Sequence, residues 1–129
     1  MSGYATAHID GITSQRGPGW WSPIRHYFGI ESFGVNGYRG ASGAMLVPEH
    51  DEAESGAPEL YFVANGHAEF TVGDEKVDGP AGTFVWVHDP RLRRSSNAIA
   101  DETFVLAIGA GAAGQTYAPT GWETLAGES

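Results

Sequence analysis

Apolar and polar residues alternate over short stretches, and glycine or proline breaks each stretch before it lengthens. Alternation with a period of two places successive side chains on opposite faces, as a half-buried strand requires. The pattern predicts strands over Ile24–Ile30, Phe33–Tyr38, Gly43–Val47, Glu59–Val63, Ala68–Val72, Thr83–Val87 and Thr103–Ile108, with a shorter one over Glu75–Val77. In the fourth of these, Glu59, Tyr61 and Val63 share one face and Leu60 and Phe62 the other. In the fifth, Ala68, Phe70 and Val72 form an apolar face opposite His67, Glu69 and Thr71. Val72-Gly73-Asp74-Glu75 suits a hairpin turn, and Gly79-Pro80-Ala81-Gly82 a second sharp one. No long segment carries apolar residues at helical spacing. Many short strands with frequent turn residues read as an all-β sandwich or barrel.

Composition narrows the picture. A chain of 129 residues, 41% of them hydrophobic, is the size of one domain with one core. The expectation is one domain over 1–129, with a core from about 24 to 109 and irregular arms outside it. Trp20, Trp21, Tyr117 and Trp122 are the expected packing anchors of those arms. There is no cysteine, which excludes disulfides, thiolate metal sites and cysteine nucleophiles. Seven basic residues stand against 16 acidic ones, for a formal charge of -9. Such a surface repels a phosphate backbone, so neither nucleic acid nor an anionic membrane is an expected partner. No apolar run approaches a membrane span and no basic-then-apolar leader opens the sequence, so a cytoplasmic location is expected.

From Gly43 to Asn97 the sequence resembles the cupin family of small jelly-roll β-barrels. The family's first motif runs glycine, two histidines one residue apart, glutamate, glycine. Here that region reads Gly43-Ala-Met-Leu-Val-Pro-Glu-His50-Asp-Glu52 and then Glu59-Leu-Tyr-Phe-Val-Ala-Asn-Gly66, and Glu-Leu-Tyr-Phe-Val is typical of the motif's strand. Gly82 opens the second motif. His88 stands in its proline slot, Pro90 in its second glycine slot, Arg93 in its histidine slot and Asn97 in its asparagine slot. The resemblance covers less than half of the chain, and it speaks to fold more than to activity.

The resemblance implies a cupin-type jelly-roll barrel and, at its centre, a divalent metal held by residues corresponding to His50, Glu52, Glu59 and Arg93. Only His50 and Glu59 are of the expected type. An imidazole with two carboxylates suits iron, manganese or zinc. A guanidinium stays protonated and cannot be a ligand. At about 4 Å and an effective dielectric near 20, two unit charges interact by roughly 4 kcal/mol, and a divalent ion doubles that. An inward Arg93 therefore opposes a metal, whereas an outward one leaves His88 to supply the missing nitrogen. Both one divalent metal and no metal stay open.

Without a metal, Glu59 and Arg93 become the catalytic candidates, Glu59 as a general base if burial raises its pKa and Arg93 as its charge partner or an anion anchor. Tyr61 shares Glu59's face, and His26 and Tyr27 reach a ligand if their strand lines the barrel mouth. Packing is the commoner role for His26, a solvated position for His67, and a turn for His88. Three functions follow. One is a small-molecule enzyme of oxygenase, isomerase, decarboxylase or lyase type. Another is a metal-free binding or sensing module in which Arg93 holds an anionic group. The last is a structural subunit whose barrel is filled by side chains. The resemblance also implies a homodimer, since related barrels pair by their sheets and cover exposed edges.

Overall fold

Inward-facing side chains at every second position build the core. The computed structural model describes residues 3–12 and 20–109. A 3-10 turn at Ile9–Gly11 precedes β1 (Trp21–Ser22), α1 (Ile24–Phe28), β2 (Gly34–Gly40), β3 (Met45–His50), β4 (Glu59–Asn65), β5 (His67–Val72), β6 (Glu75–Pro80), β7 (Phe84–Val87), β8 (Arg94–Ala98) and β9 (Thr103–Gly109). Two antiparallel sheets form, in the order β1-β2-β9-β4-β7 and β3-β8-β5-β6. From β2 onward the chain changes sheet at every connection except the β5–β6 hairpin. That alternation between facing sheets is a jelly-roll arrangement.

The alternation of β4 is realised as expected: Tyr61 and Val63 are buried, while Leu60 and Phe62 are half-covered. Val85 and Val87 of β7, Val105 and Ala107 of β9, and Ala68 and Phe70 of β5 complete the same interior. β5 and β6 pair from Val72–Glu75 outward, so the predicted hairpin at Gly73 is present. At Gly66, which links β4 to β5, φ is +77° and an added Cβ would lie 2.6 Å from Thr103 Cα, so only glycine fits.

Three expectations need correction. Ile24–Ile30 is not a strand. Pro23 caps a five-residue helix and Gly29, at φ 70°, ends it in the left-handed region that glycine favours. β8 was not foreseen, because Arg-Ser-Ser-Asn-Ala shows neither apolar alternation nor strand-forming residues. β3 runs on to His50, past the Val47 limit that the pattern sets.

β3 is also irregular in a consequential way. Leu46 and Val47 are adjacent yet both fully buried, a break in the alternation of a half-buried strand. Its register against β8 shifts between Met45 and Val47 and again between Val47 and His50. Such bulges re-aim side chains, and here they set His50 opposite Arg94. Trp21 is buried, its indole N–H donating to Asn36 Oδ1 at 3.0 Å, and Trp20 packs on the core. Tyr117 and Trp122 lie outside the described residues. Among the described residues no helix is long and apolar enough to cross a membrane.

Candidate functional site

One end of the barrel interior is polar. Glu59 opens β4 and shares its inner face with Tyr61 two residues on. The register shift in β3 brings His50 toward it, and the inner face of β8 supplies Arg94. Glu52 comes from the loop between β3 and β4. Its N–H donates to Pro90 O at 2.7 Å, its carbonyl accepts from Gly56 N–H at 2.8 Å, and its Oε1 accepts from the Ser55 hydroxyl at 3.0 Å. These bonds fix the loop with the Glu52 carboxylate turned inward, 10% exposed.

Two hydrogen bonds and one ion pair converge on a single oxygen, Glu59 Oε1. The Tyr61 hydroxyl donates to it at 2.7 Å, His50 Nε2 lies 3.3 Å away, and Arg94 Nη1 lies 3.5 Å away. His50 Nε2 also stands 3.1 Å from Glu52 Oε2, while its Nδ1 is 2.8 Å from Pro48 O. With both nitrogens facing oxygen, the protonated imidazolium suits this position. Burial pulls the His50 pKa down, but the hydrogen bonds to Glu52 and Glu59 outweigh it and hold the ring at about 10. Burial pushes Glu59 up, yet hydrogen bonds from His50 and Tyr61 and the charges of His50 and Arg94 leave it below its usual value. Burial, reinforced by the Glu59 charge, keeps the Tyr61 phenol well above its usual range, so it remains a donor.

Arg94 is the anomaly of the interior. Its side chain is 1% exposed, and Nε, Nη1 and Nη2 all lack a hydrogen-bond partner among the described residues. The Ser96 hydroxyl, on the same face of β8, is likewise buried without a partner. A buried donor left unmade costs on the order of 1–3 kcal/mol, and more when it is charged.

The expected residues distribute unevenly. His50, Glu52, Glu59 and Tyr61 come together. Arg93 does not join them, and its expected place as Glu59's charge partner is corrected. It lies on the outer face of β3–β8, where its guanidinium pairs with Glu49 at 3.1 Å and Asp51 at 3.5 Å. Strand alternation explains the exchange, because if Arg94 faces in then Arg93 must face out. His88 is exposed on the outer side of the sheet beside Trp86, their rings 6.3 Å apart, so it supplies no nitrogen to the cluster. His26 sits half-buried on α1, which packs against β2, and Tyr27 is 51% exposed. The mouth strand that was to carry both is a helix. Arg94 is visible in the sequence only as part of the basic cluster Arg91, Arg93 and Arg94, a conceivable anion site or surface pairing; its inward place, and Ser96, are hidden with β8. The available signal was the alternation of Arg94, Ser96 and Ala98 against outward Ser95 and Asn97.

His50, Glu52 and Glu59 offer ligand atoms that all lie within 4.8 Å of one another, and among the described residues this group can hold a metal ion. One imidazole and two carboxylates fit a first-row divalent cation. The guanidinium beside Glu59 and the proton on His50 both oppose it. Away from this cluster, a cavity of about 540 Å³ lies at the far end of β4 around Asn65, Arg39 and Asp101. Two of its charged side chains are engaged already: Arg39 pairs with Asp10 at 2.9 Å, and Asp101 accepts from Ser42 N–H at 2.9 Å.

Solved structures resemble this arrangement. A cupin protein from Bacteroides fragilis superposes with a TM-score of 0.68 at 21% identity, over 95% of this chain and 96% of its own. The fold is that of the cupins. A cupin-superfamily sugar phosphate isomerase from Silicibacter pomeroyi has a TM-score of 0.65 at 16% identity, over 82% of this chain and 75% of its own. The nucleoside dehydratase Pac13 has a TM-score of 0.50 at 18% identity, over 63% and 61%. No family model matches the sequence, and no curated protein does. Cupin-fold neighbours thus include isomerase and dehydratase enzymes, while identities this low establish fold alone.

Proposed function

We propose that this cupin binds a small organic molecule at the polar end of its barrel and moves a proton on it. The observation that carries the reading is the convergence of Tyr61, His50 and Arg94 on Glu59 Oε1. In the resting site its partners hold Glu59 below its usual value, against the expectation that burial raises it, so Glu59 is a carboxylate and His50 an imidazolium. Displacing His50 removes the partner that most depresses Glu59 and strengthens it as a base. A substrate that displaces the His50–Glu59 contact meets both at once. Glu59 accepts a proton from an acidified carbon or hydroxyl, and His50 returns one at a neighbouring atom or to a leaving group. Tyr61 holds the carboxylate in place throughout. Isomerisations and eliminations have this form, and structures of this fold bear isomerase and dehydratase names. The test is a substrate screen on hydroxy- and keto-bearing molecules with Glu59→Gln beside the unmodified protein. Turnover lost at least 100-fold in the variant supports the reading, and equal turnover overturns it.

A second reading rests on the convergent ligand atoms of His50, Glu52 and Glu59. A bound iron, manganese or zinc ion would act as a Lewis acid, polarising a substrate oxygen. For it to bind, His50 must surrender its proton, and Arg94 must tolerate a cation beside Glu59. Metal analysis of the purified protein decides between the readings. Stoichiometric metal favours the second, and turnover retained after chelation favours the first.

A further inference from the structure

The geometry points to a small monocarboxylate as the molecule this barrel takes, its carboxylate seated on the Arg94 guanidinium with the Ser96 hydroxyl beside it. The inference rests on the barrel being a small-molecule site and names the chemical class of that molecule. Arg94 is 1% exposed, and none of its three nitrogens has a hydrogen-bond partner among the described residues. Its one charge partner among the described residues, Glu59, stands 3.5 Å away. Ser96 lies two residues along the same strand, on the same face, and its hydroxyl is also buried and unpartnered. A guanidinium presents five donors in a planar fork that a carboxylate fills with two parallel hydrogen bonds. Ser96 adds a donor on the same side.

A purely structural arginine would close its hydrogen bonds on the protein, as Arg93 does with Glu49 at 3.1 Å only one residue away. Charge selects among anions. Glu59 and Glu52 already line the site, so a phosphate dianion meets more repulsion there than a monoanion does. The path inward passes His50, whose side chain is 30% exposed and is the most open member of the cluster. Entry moves its ring off the carboxylates and uncovers the guanidinium behind.

The experiment is calorimetric titration of the chelator-treated full chain with acetate, propionate and benzoate, with acetamide as the neutral isostere and inorganic phosphate as the dianion. Saturable carboxylate binding with acetamide at least ~10-fold weaker is the expected result, since the neutral isostere loses the charge-assisted bonds. Arg94→Lys keeps the charge but not the fork, and should weaken carboxylate binding a further ~10-fold relative to the unmodified protein. Arg94→Met removes both the charge and the fork and should abolish it. Equal affinity for acetate and acetamide, tighter binding of phosphate, or undiminished binding in Arg94→Met overturns the assignment. If neither variant folds, the acetate–acetamide comparison on the unmodified chain decides alone. Neutral ligands that bind at the cluster while carboxylates do not would overturn this assignment and leave the barrel reading intact. A cluster that binds nothing would overturn both.

Discussion

Strands β4 and β8 each run from charge to hydrocarbon along their inner faces, and the two ends of the barrel they build obey different rules. At one end Val63, Ala68 and Val105 are fully buried and Phe70 nearly so, with Val63 and Val105 opposite each other in register. At the other, Glu59 and Arg94 occupy equivalent inward positions, with His50 in contact with both Glu59 and Glu52. The apolar end needs only volume and tight packing. The polar end needs each partner in place, and the partners present satisfy Glu59 while leaving Arg94 without hydrogen bonds. Close packing and buried charge are thus separated along the length of the same strands.

The largest effect expected of that division is at the apolar end. Phe70→Ala should lower unfolding free energy by ~3–5 kcal/mol, as the loss of a buried aromatic ring does, measured by urea denaturation. A change below about 1 kcal/mol would mean that this end does not anchor the sandwich. The polar end should instead announce itself through pH. In the metal-free protein the folded-state pKa of His50, about 10, lies above its ordinary 6.5. Its contribution is therefore complete below pH 6.5 and drains away as pH rises toward 10. Glu59 is shifted downward, so its contribution is present above its ordinary 4.5 and is lost as pH falls below that. Stability should be greatest between about pH 4.5 and 6.5 and fall by on the order of 3 kcal/mol from there to pH 10. A flat profile above pH 6.5 would show that the carboxylates do not hold the His50 proton. Glu59→Gln, which leaves two cations facing an uncharged amide, should cost ~2 kcal/mol near neutral pH by the same denaturation assay.

How much of this was legible in the sequence follows the same division. Strands with apolar inner faces, β4, β5, β7 and β9, announced themselves by alternation, and so did the hairpin at Gly73. Glu59, His50 and Glu52 were found through spacing and family resemblance. What stayed hidden was β8, whose inner face carries Arg94 and Ser96 where a core strand would carry valine. A strand that buries charge has no hydrophobic period to detect. α1 was hidden for the opposite reason: a five-residue helix is too short to show one. The bulges in β3 were beyond reach, since register shifts leave no composition signal, yet they are what sets His50 opposite Arg94.

Tyr61→Phe isolates one bond of the polar end. The hydroxyl donates to Glu59 Oε1 at 2.7 Å from a side chain that is 1% exposed. Phenylalanine keeps the packing against Phe70 and deletes only the donor, so the expected loss is ~1 kcal/mol. The Glu59 carboxylate should then titrate nearer its ordinary value, read by NMR of the side-chain carboxyl. An unchanged titration would mean that His50 and Arg94 alone set it.

The smallest effect should come from the residue beside the most consequential one. Arg93 and Arg94 are adjacent and identical in chemistry, and the pleat sends them to opposite sides of the sheet. Arg93 is 57% exposed and pairs with Glu49 and Asp51 in solvent. Exposed pairs of this kind contribute little, so Arg93→Ala should shift unfolding free energy by less than ~1 kcal/mol. The pH profile and any carboxylate affinity should stay unaltered. Because the family pattern puts its histidine slot at 93, a large effect there would show β8 to be out of register by one residue, reversing every inward and outward assignment along it. Near silence at 93 beside a strong response at 94 is what the bulged pairing of β3 with β8 requires.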